Sequence, residues 1–308
     1  MADAELRIIC GPTAAGKTTL AMALAERFGA RIVSADSRQI YRGFDIGTAK
    51  PTAGERRSVP HYGVDIASPT ERYSAAAWAG SAERWLAEST AAGATPVVVG
   101  GTGFYVRALT EPLFAEPELD PVRRRALARV LDELTTAELR RWCERLDPAR
   151  ARLGRTQLLR AIEVALLTGI PISTWHTHTP RAPGIAARYL VVDPGGVLQE
   201  RIADRVHAMF AAGWPDEVAA LAAQLPDEAP AWNATGYSIV REYVRGRLSR
   251  AAAIERVTIH TRQYAKRQRT WFRHQLSGAG VTVLDPMAND AMRRAAAWWT
   301  ASEHEALR

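Results

Sequence analysis

Cysteine is scarce in this chain. Two residues in 308, Cys10 and Cys143, are too few and too far apart for a disulfide framework or a cysteine-based zinc site. Long apolar runs are missing as well. None approaches the ~20 consecutive apolar residues of a membrane-spanning helix, so no membrane partner is expected. The opening MADAELRIIC is short and acidic, unlike a secretory signal, and a cytoplasmic protein is expected. No internal repeat and no low-complexity tract stands out. The most informative absence is local. Between Arg256 and Arg273 there is no acidic residue, although the whole chain is nearly balanced, with 40 Lys and Arg against 33 Asp and Glu and a formal net charge of +7. Surface helices ordinarily mix signs, so a one-sign stretch points to a polyanion.

What is present begins at residues 6–19, LRIICGPTAAGKTT: a short apolar run, a glycine-rich turn and the start of a helix. Residues 11–18 fit G-x-x-x-x-G-K-[ST], the nucleotide-binding phosphate loop. The glycines let backbone N–H groups converge on an anion, and the following helix directs its positive end there. Lys17 supplies a mobile charge and the Thr18 hydroxyl can ligate Mg²⁺. Leu20, Leu24 and Phe28 continue at helical spacing. Cys10 closes the strand and is expected in the core. The motif names a ligand class, two linked phosphates with a metal, and leaves the reaction open.

Residues 31–34 read as a second strand, with the polar segment 35–41 at its carboxyl end. In open parallel sheets the ligand crevice lies at those ends. Asp36 is therefore either a site carboxylate or a helix N-cap. Residues 43–51 read as a loop with Lys50 exposed, and 64–66 as a short strand. Residues 73–92 read as a helix burying Trp78, Trp85 and Leu86. The run 96–99 reads as a central strand buried on both faces. It ends in Gly100-Gly101-Thr102-Gly103, where the Thr102 hydroxyl can face the site. Nucleotide hydrolases often place a metal-binding Asp after this run; Gly100 stands there instead and speaks against ATPase chemistry.

Three prolines within 112–121 mark a boundary. Beyond it, 122–133, 136–145 and 157–167 read as helices. From Arg123 to Arg160 there are eleven arginines against five acids, which suits either solvated helix faces or a clamp on a phosphate backbone. His176 and His178 read as exposed loop residues. Residues 189–194 read as a strand returning to the sheet, with Asp193 starting a turn. Residues 198–210 read as a helix with Arg201 and Arg205 on one face. Residues 249–276 read as a long helix. On it Arg262, Lys266, Arg269 and Arg273 form one stripe and Val257, Tyr264 and Trp271 another. Residues 281–283 suit an edge strand and 288–301 a closing helix. The expected fold class is α/β, a P-loop core with a parallel sheet plus an inserted all-helical domain. Residues 1–112 form the first part of the core, 113–183 the insertion, and 184–308 the second part with the long basic helix.

GPTAAGKT at 11–18, ADSRQIY at 35–41, DIGTAKP at 45–51, GGTGFY at 100–105, RAIEV at 160–164 and KRQRTWFR at 266–273 together resemble the bacterial tRNA dimethylallyltransferases. The resemblance spans most of the chain, in the family's order. It departs from the family's pattern at Arg155, Gln157 and Asn233. It implies transfer of a dimethylallyl group from dimethylallyl diphosphate to N6 of adenosine 37 in the tRNA anticodon loop, with Mg²⁺. It implies that Gly11, Pro12, Thr13, Ala14, Ala15, Gly16, Lys17 and Thr18 hold the diphosphate and that Thr18 is a metal ligand. Asp36 becomes the general base, Thr102 a contact of the reacting groups, and Arg205 a diphosphate ligand. Matching suggests tRNA contacts at Asp36, Ser37, Arg38, Gln39, Thr102, Arg124, Arg160, Lys266, Arg267, Arg269 and Arg273. A monomer is expected. The alternative is a small-molecule kinase with the same loop, against which Gly100 and the basic helix speak.

Overall fold

The computed structural model describes residues 5–111, 117, 119–178, 184–278 and 280–301. The chain falls into two compact units, Met1–Glu111 with Gly184–Arg308, and Pro112–Pro183. Among the described residues, six strands form one sheet in the first unit. They are β1 (Leu6–Cys10), β2 (Ala30–Ser34), β3 (His61–Tyr62), β4 (Thr95–Gly100), β5 (Ala187–Val192) and β6 (Val281–Leu284). They pair in the order β3-β2-β4-β1-β5-β6, every pair parallel.

Parallel neighbours need crossovers, and helices supply them. The chain order of helices is α1 (Lys17–Phe28), α2 (Ala53–Ser58), α3 (Ala75–Ala91) and α4 (Gly103–Thr110) before the second unit. That unit contains α5 (Pro121–Glu133), α6 (Thr136–Leu146), α7 (Arg155–Thr168) and α8 (Ile172–His178). The first unit resumes with α9 (Leu198–Ala211), α10 (Trp214–Ala222), α11 (Tyr237–Val244), α12 (Arg250–Gln275) and α13 (Ala291–Thr300).

Helices on both faces explain why residues 8–10 of β1 and 97–99 of β4 are continuous apolar runs rather than alternating ones. Ile8, Ile9, Cys10, Val97 and Val98 are fully enclosed. On one face Leu20 and Leu24 of α1 pack with Ile9, Ile32, Val99 and Val192, joined by Trp298 and Trp299 of α13. On another, Trp78 of α3 stacks on Tyr105 of α4 at 4.7 Å and donates its indole N–H to the Ser34 carbonyl at 3.0 Å. The second unit has its own core, where Leu131, Leu139, Cys143, Leu158 and Ile162 meet.

Three local expectations are corrected. Residues 64–66 are not a strand. The strand beside β2 is His61–Tyr62, and Asp65 has a φ of 58°, outside the extended region. Residues 175–178 are not a loop but the end of α8. The Asp147 carboxylate accepts the Ser173 N–H at 3.0 Å and caps the start of that helix from 26 residues upstream, which no local pattern could announce. His176 is held by the Arg150 guanidinium at 2.6 Å. Lys50 is not exposed. Its ammonium is buried and donates to the Tyr41 carbonyl at 2.7 Å and to the carboxylates of Asp45 and Asp65 at 2.5 and 2.6 Å.

Candidate active site

The carboxyl ends of β1, β2, β4 and β5 lie on one edge of the sheet and feed four loops. From β1 the chain crosses to β2 on one side, and from β4 it leads to β5 on the other. The crevice therefore opens where neighbouring strands diverge, the usual ligand position in such sheets. A cleft of about 450 Å³ lies there, lined by Thr13 to Thr18 of the loop after β1, by Asp36, Arg38 and Gln39 after β2, and by Gly100 and Gly101 after β4. Arg201 and Arg205 of α9 and Tyr264 and Gln268 of α12 complete the polar wall. Ile32, Val206, Met209, Trp214 and Val257 supply apolar lining.

The loop before α1 is held by its own groups and by its neighbours. Lys17 Nζ donates to the Pro12 carbonyl at 2.6 Å, and Arg201 Nε donates to the Ala14 carbonyl at 2.9 Å. Burial pulls the Lys17 ammonium from its ordinary 10.5 down to about 8. The Asp36 carboxylate counters that shift and the Arg205 cation adds to it. Burial likewise lowers Arg205, again against Asp36. Three charges, two positive and one negative, thus sense one another in the cleft. A dianionic ligand would compensate the positive excess.

Asp36 caps a turn, not a helix: its Oδ1 accepts the Arg38 N–H at 2.8 Å, and residues 37–40 are a turn. The Thr102 hydroxyl accepts the Ser37 N–H at 3.0 Å, and the Thr102 N–H donates to the Ala35 carbonyl at 3.1 Å, so Thr102 braces the segment carrying Asp36. Gly100 is required by this closeness. A Cβ there would come 2.1 Å from the Ala35 carbonyl oxygen, so no strand-end aspartate could be accommodated. Gln39 is spent on the fold, donating to the carbonyls of Thr48 and Ala49 and accepting from the Ser34 hydroxyl.

The basic stripe on α12 divides. Lys266, Arg267 and Arg273 are exposed, whereas Arg262 donates to the Gln199 carbonyl and Arg269 pairs with Asp193. The heptad line turns inward. Val257 and Tyr264 line the cleft, and Trp271 packs against Gly103. Burial pushes the Tyr264 phenol up to about 12. In the second unit Arg124 and Arg160 converge on one carboxylate, each 2.6 Å from Glu163. Gln268, buried on α12 among the basic residues, escaped the reading by residue type. The signal available was its place between Arg267 and Arg269, one turn beyond Tyr264.

Among the described residues no cluster of three or more His, Cys, Asp or Glu side chains could cage a metal. The Thr18 hydroxyl is exposed at the cleft. That donor set fits Mg²⁺ in its usual manner, held by few protein ligands and completed by phosphate oxygens and water.

The family profile described as IPP transferase matches residues 39–275, and one described as Isopentenyl transferase matches residues 4–61. The chain is 41% identical over 279 residues to the tRNA dimethylallyltransferase of Thermosynechococcus vestitus, covering 89% of this chain and 88% of that protein. It is 40% identical over 305 residues to the tRNA dimethylallyltransferase of Deinococcus radiodurans, covering 96% and 97%. Its fold is similar to the crystal structure of the full-length tRNA isopentenylpyrophosphate transferase from Bacillus halodurans. The TM-score is 0.66 at 32% identity, over 95% of this chain and 94% of that one.

Proposed function

The chain belongs to the IPP transferase family, and on that premise we propose that it transfers a dimethylallyl group from dimethylallyl diphosphate to N6 of adenosine 37 in the anticodon loop of tRNA. The observation that carries the reading is the meeting, in one cleft, of a cationic phosphate loop with a carboxylate braced beside it.

In this reading the loop 11–18, Lys17 and Arg205 hold the diphosphate, and Thr18 holds Mg²⁺. Mg²⁺, when bound, offsets negative charge on the leaving diphosphate. The allylic C–O bond breaks, the N6–C bond forms, and diphosphate departs. Lys17 and Arg205 stabilise the charge that develops on the leaving oxygen. The N6 lone pair is delocalised into the purine ring, so the amine is a weak nucleophile. Asp36 accepts its proton as the new bond forms. Thr102 fixes the Asp36 segment and lies beside the acceptor. The target base sits in a loop, so extruding it costs comparatively little. The exposed cations of α12, with Ser37, Arg38, Arg124 and Arg160, contact the tRNA backbone. In this reading the protein acts as a monomer.

Phosphate transfer from ATP is not favoured, since the curated relatives are named as transferases of the dimethylallyl group. The test is direct. Purified protein is incubated with Mg²⁺, dimethylallyl diphosphate and unmodified tRNA carrying A36-A37, and the digested tRNA is weighed by mass spectrometry. A gain of one five-carbon unit on adenosine 37 is expected. No transfer, together with tRNA-independent use of ATP, would restore the kinase.

A further inference from the structure

Gln268 lies in the basic stretch of α12, yet its side chain is buried and both ends of its amide are engaged. Oε1 accepts the N–H of Thr13 at 2.8 Å, and Nε2 donates to the carbonyl of Gly101 at 2.8 Å. One side chain thus bridges the loop after β1 and the turn after β4. The fit is close: a Cβ at Gly101 would come 2.4 Å from Nε2.

The bridge falls beside a strained residue. Ala14 has a φ of 61°, a left-handed conformation that a residue with a Cβ keeps only where its surroundings impose it. Two side chains from outside the loop bracket it. Gln268 holds the Thr13 N–H on one side, and Arg201 holds the Ala14 carbonyl on the other. Ala265, on the same face of α12, packs against Ala14 together with Leu198 and Ile202. The loop's conformation at Thr13 and Ala14 is therefore imposed from α9 and α12, not by its own sequence alone.

We propose that Gln268 is a positioning residue for the donor site, holding the phosphate loop in its diphosphate-binding conformation from the helix whose outer face carries Lys266, Arg267 and Arg273. This rests on the reading of the cleft as a prenyl diphosphate site. Gln268 acts through the backbone of Thr13 and Gly101, so it governs affinity for the donor and not contact with tRNA, although it sits within the stretch whose exposed members face solvent.

Two variants test it. Gln268→Met keeps the length and loses both hydrogen bonds. Gln268→Glu keeps an acceptor for Thr13 and sets an oxygen against Gly101. Binding of inorganic pyrophosphate with Mg²⁺ is measured by calorimetry without tRNA, alongside tRNA affinity, the donor KM, kcat and the thermal midpoint. Pyrophosphate Kd and donor KM should rise about tenfold or more in Gln268→Met, the step expected for one or two lost hydrogen bonds, and at least as much in Gln268→Glu, whose carboxylate opposes both the Gly101 carbonyl and the bound anion. The tRNA Kd should stay within about twofold. If the Met variant does not fold, the Glu variant decides. Unchanged pyrophosphate affinity in the folded variants overturns the proposal. So does weakened tRNA binding with pyrophosphate binding intact, which would make Gln268 an RNA contact. A wild-type protein that binds pyrophosphate but prenylates no tRNA overturns the proposed function instead, and the pyrophosphate arm still decides on Gln268.

Discussion

The indole of Trp214 rests against the backbone of Gly47: a Cβ added at Gly47 would lie 2.2 Å from both Cε2 and Nε1 of the ring. The ring cannot retreat, because a Cβ at Gly236 would likewise lie 2.5 Å from Cη2, and Phe210 and Tyr237 meet the ring edge-on at 5.6 and 5.3 Å. Gly47→Ala should therefore overpack this wall of the cleft and cost roughly 1–3 kcal/mol. Urea unfolding measures it. Unaltered stability would mean that the 43–51 loop simply shifts aside.

Lys50 is the hub that closes the same loop, through Asp45 and Asp65, and Arg56 pairs with the other Asp65 oxygen at 2.8 Å. Lys50→Met leaves two carboxylates short of a partner. The carboxylates are partly exposed, so the expected loss is about 1–3 kcal/mol, below that of a fully buried pair. Burial alone would raise the Asp65 carboxyl, but hydrogen bonds from Lys50 and Arg56 bring it below its ordinary 3.8. A depressed carboxyl adds stability above its unfolded value and loses it as pH falls through the folded one. The difference between wild type and Lys50→Met should thus be full near neutral pH and shrink once the pH falls below 3.8. An equal difference at both would separate Lys50 from the ionisation of Asp65.

Lys17 carries the clearest pH signature of the cleft. In the free protein it loses its proton near pH 8 instead of 10.5. Only the protonated form attracts a diphosphate, so pyrophosphate affinity should be full below about pH 8 and decline above it. Between 8 and 10.5 the unfolded chain holds a proton that the folded one lacks, so the contribution of Lys17 to stability rises with pH there. Titration calorimetry across that window reads the affinity. The same slope in Lys17→Met would assign it to another group.

Removing the Asp36 carboxylate should separate chemistry from binding. Asp36→Ala is expected to lose turnover on the order of 10²-fold or more, as loss of a general base does. Pyrophosphate binding should survive, because the carboxylate opposes an anion beside Lys17 and Arg205. Single-turnover rates with saturating tRNA provide the check. Normal turnover would remove Asp36 from the role of base.

Salt dependence distinguishes the exposed cations of α12 from the tethered ones. Lys266→Ala and Arg273→Ala should each reduce the slope of log K for tRNA against log salt by roughly 0.7–0.9 and leave the fold intact. Arg269→Ala strips Asp193 of its ion pair and should act mainly on stability. Slopes identical to wild type in the first two variants would take the outer face of α12 out of the tRNA interface.

The sequence was most legible where structure depends on near neighbours. The loop at 11–18 announces itself because a tight anion-binding turn demands glycine at fixed spacing. The run at 96–99 reads as a buried strand because both faces of a parallel sheet are covered. The motifs at 35–41 and 100–105 sit where strand ends place them, on one edge of one sheet. Residue type misled where partners are remote. Lys50 looked like an exposed loop lysine because nothing nearby reveals that Asp65 folds back onto it. His176 looked like a loop residue because the cap of its helix lies at Asp147.

By itself, then, the amino-acid sequence determined the α/β class, the glycine-rich turn at 11–18, the basic helix and the family, all of which are written in local spacing and in ordered motifs. Only the tertiary structure decided which of the basic residues on α12 face outward and which are tied inward. It alone showed that Gln268 joins Thr13 to Gly101, 255 and 167 residues away along the chain. The physical reason is that hydrogen bonds and charge pairing act through space over a few ångströms, whereas periodicity and propensity act along the chain. The groups that set the shape of this cleft meet only once the sheet has brought its strand ends together.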